Sequence, residues 1–244
     1  MTSERPIDMR DHDVRALLAG TKTQHRLPIT SVRTTATRET RPSTLRGPDL
    51  EKALDLAAGF RCLDGDIWHW TASAFSYQIG ARTNWMAHIG YVLEQRLWVR
   101  ESVTQRPMAN ILTGEPTNAI VAAYAADDED VVEKAGFNLC PWWTTPGSLP
   151  SSRMPRMAGR LTLEVTGVRI QRLQDISEAD ALAEGCPAQT YEELAGMDPR
   201  GWFRDLWDSI NGTDAWDANP WVVALTFIAH RVNIDAMEKP HAAA

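Results

Sequence analysis

The chain has 244 residues, 43% hydrophobic and 23% charged, which is enough apolar content for one large core or two small ones and describes a globular protein rather than a disordered one. Its 32 acidic and 25 basic side chains give a net charge of −7, which excludes a protein that coats nucleic acid over its whole surface but leaves room for a local basic groove. No run approaches the roughly 18 apolar residues of a membrane span, the amino terminus MTSERPIDMR lacks the apolar core of a secretion signal, and Cys62, Cys140 and Cys186 form no CxxC pair, so a cytosolic protein with free thiols, no structural zinc and no cofactor is expected.

In chain order, Asp11 to Gly20 reads as a short helix, capped by Asp11 or Asp13 and stopped by Gly20, with Val14, Leu17 and Leu18 on one apolar face. Directly after it, TKTQHR places Lys22, Thr23, His25 and Arg26 together, several donors and a candidate base at one edge, or a polar loop leading into a strand. Residues 28–48 are rich in Thr, Arg and Pro; their spaced arginines suit a phosphate backbone as well as a solvated loop. Asp49 to Phe60 has the periodicity of an amphipathic helix. IWHW and AFSYQI, between Cys62 and Ile89, predict a β-hairpin, and His69 and His88 within it lack the spacing of metal ligands.

Leu97 to Glu101 is a strand with Leu97 and Val99 on one side and Trp98 and Arg100 on the other. Ala119 to Ala126 suits a buried strand, though its alanines also permit a helix, and the acids of DDED after it fit a turn or a capping cluster better than a cation site, because consecutive side chains do not converge. Phe137 to Pro155 is a long connection broken by Pro and Gly, which delivers Arg153, Arg156 and Arg160 to the next strand. Pro199 to Ile210 predicts a helix buried along Trp202, Phe203, Leu206 and Ile210, Trp221 to Ala229 a final strand, and Val232 to Ala244 a frayed, flexible tail. Most of the ten tryptophans fall in such apolar segments, where core packing explains them, although any one also suits the floor of a base-binding pocket.

Arg160 to Gly185 joins the clearest strand pattern to the clearest helix pattern. Leu161, Leu163 and Val165 alternate with polar residues, and after Gly167 the apolar set changes parity to Val168 and Ile170, which predicts a bulge or bend at the glycine. Ser177 with Asp180 opens a helix and Gly185 stops it. Glu184 therefore lies in the last turn, where the backbone's partial negative charge disfavours an acid by a few tenths to about 1 kcal/mol. An acid placed against that field points to function or to a solvated surface position.

LLAGTKTQHR, RLWVRE, MPRMAGRLTLEVTGVRIQRLQDISEADALAEG and FRDLWDSINGTDAWDANPWVVALTF together resemble the ASCH domain family of the PUA-like superfamily, nearest its enlarged phage and prophage-encoded branch. The likeness runs from about residue 14 to 228 and omits 58–95; Glu94-Gln95 stands where that branch has an acidic Gly-Asp turn before RLWVRE. It implies an α+β fold with a mixed PUA-like β-barrel of about five or six strands, forming one domain over 1–231 with an unusual insert at about 58–95. Small bacterial relatives are amidohydrolases that deacetylate acetylated cytidine with a lysine, a threonine and a glutamate. The resemblance sets the lysine on Lys22 and the glutamate on Glu184, with a cleft between them, whereas the threonine position carries His25, beside Thr23. Arg26, Trp98, Arg100, Arg153 and Arg156 are the candidate substrate-binding residues. The expected function is recognition of a nucleoside or nucleic-acid base, with hydrolysis of an amide on a modified cytidine; the alternatives are an RNA or modified-DNA binding module, a ribonuclease, or a phage accessory protein working through protein contacts.

Overall fold

The computed structural model describes residues 4–34, 44–57, 67–70, 85–88, 90–110, 112–131, 148–187 and 198–237. The fold is mixed α+β. Twelve strands are described: β1 (Glu4–Asp8), β2 (Gln24–Pro28), β3 (Val32–Thr34), β4 (Thr44–Leu45), β5 (Ile67–Trp70), β6 (Trp85–His88), β7 (Arg96–Arg100), β8 (Val103–Ala109), β9 (Pro116–Tyr124), β10 (Ser148–Leu149), β11 (Thr162–Arg172) and β12 (Trp221–His230). The helices are α1 (Asp11–Leu18), α2 (Gly47–Ala57), α3 (Glu178–Ala183) and α4 (Pro199–Asn211). One sheet has five strands in the order β1-β7-β11-β12-β2; the smaller ones run β10-β8-β9 and β4-β3-β6-β5. No described helix is long and apolar enough to cross a membrane.

The chain forms two compact units, and β11 and β12 each give residues to both. Unit 1 comprises three separate segments, Met1–Lys22, Arg96–Glu164 and Ile228–Ala244. Its first strand, β1, pairs in parallel with β7, Glu4 opposite Arg96 and Asp8 opposite Arg100. Leu97 and Val99 are fully enclosed and Trp98 nearly so, so both faces of β7 are covered. A second core gathers Val103, Ala122, Tyr124, Val131, Leu149, Met154 and Ala158. At its margin Arg160 bonds both oxygens of the buried Glu101, at 2.9 and 2.8 Å, and reaches Asp127 at 2.8 Å and Glu129 at 2.6 Å, while its guanidinium lies 3.8 Å from the centre of the Tyr124 ring. The DDED turn thus supplies counter-charges to an arginine. Burial pushes the Glu101 carboxyl above its ordinary value in spite of that partner.

Val232 onward, read from sequence as a frayed tail, holds a 3-10 turn over Ile234–Ala236. Ile234 is buried, and the Asn233 amide donates to the carbonyls of Arg156, Met157 and Gly159 at 3.0, 3.3 and 2.6 Å. Residues 238–244 lie outside the described part.

Unit 2 comprises Thr23–Gln95 and Val165–Phe227. The arm at 28–48, expected to be irregular, contains β3 and β4, which pair with each other, and β3 also pairs with β6. Of the predicted hairpin, Ile67–Trp70 is a strand and pairs antiparallel with Trp85–His88; AFSYQI lies outside the described residues. β11 runs through Gly167 as a single strand. Val168 and Ile170 beyond it are half-buried. Gly167 meets Thr226 on β12, where a Cβ would come within 3.2 Å of the threonine Cβ. On α4 the most buried positions are Phe203 and Trp207, with Trp202, Leu206 and Ile210 half-covered beside them. Phe203 and Trp207 join Leu173, Ile176, Ala181 and Val222 in the unit's core.

Candidate functional site

Helix α3 is short because its ends are both specified. Ser177 Oγ accepts from Asp180 N–H at 3.1 Å, Asp180 accepts in return from Ser177 N–H at 3.4 Å, and Gly185 leaves the helix with φ of +97°. Glu184 is the C-cap residue. Thr23 N–H donates to Ala183 O at 2.8 Å, which fixes this end of the helix beside the entry to β2. Strand β2 pairs with β12, Gln24 opposite Thr226 and Arg26 opposite Ala224, and is the last strand in its sheet.

Glu184, a residue at odds with the helix field, is buried. Arg26 Nη1 donates to its Oε1 at 2.8 Å, and His25 Nδ1 lies 3.9 Å from Oε2. The Glu184 and Arg26 side chains are 2% and 0% exposed, whereas His25 keeps 15%, so the imidazole is the most accessible of the three. Arg26 Nη2 stands 3.1 Å from Asp180 Oδ2, an ion-pair contact without hydrogen-bond alignment, and Phe203 lies under the guanidinium at 5.8 Å. Gln24 bridges the group, accepting from Arg26 Nη1 at 3.2 Å and from Arg169 Nη2 at 3.2 Å and donating to Asp180 Oδ1 at 3.0 Å. Arg169 Nη2 also donates to Asp180 at 2.9 Å. Burial would raise the Asp180 carboxyl, but the bonds from Arg169 and Gln24 and the charge of Arg26 outweigh it and hold it at about 2.

Chemically, this is a fixed carboxylate with one oxygen neutralised by arginine and the other facing a partly open imidazole. An imidazole close to a carboxylate is a pair suited to proton transfer.

The remaining predicted residues fall as follows. Thr23 is exposed at the head of this cluster. Lys22 belongs to unit 1, where it is 1% exposed with Nζ 3.1 Å from Asp13 Oδ1. His12 stands 3.5 Å from the same aspartate, and burial pushes its imidazole below the ordinary value. Asp13, read as a cap, accepts from Arg10 N–H at 3.3 Å and so serves both the helix start and the lysine. Trp98, Arg100, Arg153 and Arg156 are likewise in unit 1. Arg100 is held by Asp8 at 2.7 Å and Ser152 O at 3.0 Å; Arg156 is held by Glu4 at 2.5 Å and Asp235 at 2.7 Å; Arg153 is exposed. Trp98 is a core residue with Arg100 stacked at 5.9 Å.

Gln24, Arg169 and the outward contacts of Asp180 were not foreseen from the sequence. The signal was present: Asp180 and Glu184 are four apart on a helix and share a face, and Gln24 and Arg26 are two apart on a strand and do the same. Among the described residues no three His, Cys, Asp or Glu side chains converge as metal ligands. Comparisons with protein-family models, with curated proteins and with solved structures find no match.

Proposed function

We propose that the protein recognises a modified nucleoside or nucleic-acid base and hydrolyses an amide on it, with acetylated cytidine as the substrate class and a PUA-like barrel as its fold. The observation that carries this reading is the buried Glu184 carboxylate shared between Arg26 and His25. A carboxylate needs a reason to be enclosed, since burial penalises its charge by several kcal/mol unless it is paired. Here the pairing leaves one oxygen toward the one accessible titratable ring of the cluster. The ASCH resemblance sets Lys22, Glu184 and position 25 in the reacting group, with His25 where the family has threonine.

In this mechanism His25 takes a proton from water as the water oxygen attacks the acetyl carbonyl carbon. Glu184 holds the ring and balances the imidazolium. The C–N bond then breaks, the exocyclic amine leaves with the proton returned by His25, and acetate and cytidine are the products. In this reading the exposed Thr23 bonds the substrate.

The test is incubation with acetylated cytidine followed by mass spectrometry. Deacetylation is expected from the wild type, with a loss of roughly 100-fold or more in His25→Ala and Glu184→Gln. Absence of product in the wild type overturns the hydrolase reading; salt-dependent binding to RNA or modified DNA in that case identifies a reader.

A further inference from the structure

The sheet β4-β3-β6-β5 belongs to unit 2. Residues directly opposite in an antiparallel pair share a face, and so does every second residue along a strand. The register therefore sorts this sheet into two sets. Val32, Leu45, Ala87 and the tryptophans Trp68, Trp70 and Trp85 take one face together with Thr34. On the other, Thr44, Arg33, His88 and Ile67 form a row across all four strands, with His69 and Met86 in the next row. An antiparallel sheet divided in this way packs its apolar face and offers the polar one to water or a ligand. At β4, Thr44 is exposed and Leu45 half-covered, in line with that division, and Arg46 just beyond is exposed.

His69 and His88, which lack metal-ligand spacing in the sequence, thus come to adjacent rows of one face, and Arg33 is the register partner of His88. That company decides the ligand. An arginine paired with one of two histidines repels a cation and suits an anion: the guanidinium brings a permanent charge and a fork of N–H donors, each imidazole at least one N–H, and threonine a hydroxyl. No acid holds a register position on this face, in a chain whose net charge is −7. Phosphate is the anion that such donors recognise. Neighbouring strands lie about 4.8 Å apart, so the set from β3 to β5 extends about 10 Å across the sheet, more than a single phosphate group covers.

We propose that this face binds the sugar-phosphate backbone of a single nucleic-acid strand, with Arg33, His69 and His88 meeting successive phosphates and Thr44 adding a hydroxyl contact. Contacts of this kind hold a strand in place without reading its sequence. The site is independent of the hydrolase reading, because it concerns what unit 2 holds and not what it cleaves.

The probe is a fluorescently labelled single-stranded oligouridylate, followed by anisotropy across a salt series, with uridine monophosphate and inorganic phosphate as competitors. The wild type should bind with an affinity that falls as salt is added. Arg33→Gln should weaken binding roughly fivefold or more and make the logarithmic salt slope shallower by about one. A double variant, His69→Gln with His88→Gln, should also weaken it, and Arg33→Lys should keep part of the affinity. Arg106→Gln removes the same charge from β8 in unit 1 and should bind as wild type does. Thermal melting checks that each variant folds; if Arg33→Gln does not, Arg33→Lys and the histidine variant decide. The proposal is overturned if the wild type does not bind, if Arg33→Gln and the histidine variant bind unchanged, or if Arg106→Gln loses as much. Competition by inorganic phosphate or the mononucleotide as strong as that of the unlabelled strand overturns the strand and leaves a single-phosphate site. Turnover of free acetylated cytidine should be the same in all these variants, so a wild type that binds the strand and releases no acetate sinks the hydrolase reading alone.

Discussion

Asp180 is the residue whose ionisation the fold depends on most visibly. Its carboxyl is held at about 2 against an ordinary 3.8, so its folded form releases the proton more readily than its unfolded form. The sign follows from linkage: the stabilisation is fully present above the unfolded value and is lost as pH falls from about 4 toward about 2. Urea unfolding of wild type and Asp180→Asn across that window should show the wild-type advantage shrinking as acid is added, and a difference that stays constant would show that Asp180 is not the titrating group. Lys22 and Asp13 form a second buried pair at this scale, with Nζ 3.1 Å from Oδ1.

The elements carrying these residues differ in how plainly the sequence announced them. Helix α3 was fully legible, because Ser177, Asp180 and Gly185 each have a local job that residue type alone reveals. Strand β7 was equally plain, whereas β1 was not: its pairing with β7 joins residues some ninety positions apart, and ERPID has no alternation strong enough to signal it. WMAH was not singled out in the sequence, yet it is the strand that β5 pairs with, and pairing is settled by tertiary context that single-strand propensity does not contain. Glu184 stood out for being wrong for its position, while Gln24 and Arg169 are ordinary for theirs and become legible only once β2, β11 and α3 are set side by side. The end of α3 offers a direct check. Gly185 has φ of +97°, a conformation that side chains with a Cβ resist, so Gly185→Ala should lower stability by about 1 kcal/mol or more and loosen the Glu184 contacts, read as a lower thermal midpoint together with a shifted His25 titration.

At the scale of the whole molecule each of the two units has its own buried apolar set, and Arg160 is compensated by three acids and Arg26 by two. In unit 1 the segment after β12 is part of the structure. The Asn233 amide reaches three carbonyls, of which Arg156 O also accepts from Gly159 N–H, so Asn233→Ala should cost about 2 kcal/mol in denaturant melts by taking this donor from the Met157 and Gly159 carbonyls, while a change below a few tenths would mean that solvent replaces it.

The three-segment construction of unit 1 also sets an order in time. During synthesis β1 emerges before β7, and the unit still lacks Ile234 and the Asn233 clamp until the segment after β12 has left the ribosome. Such long-range closure is slow and leaves apolar surface open in the interim. Nascent chains halted before residue 228 should therefore carry an unfinished unit 1 that is open to proteases and holding chaperones, and completing the final segment is the event that ends that exposure.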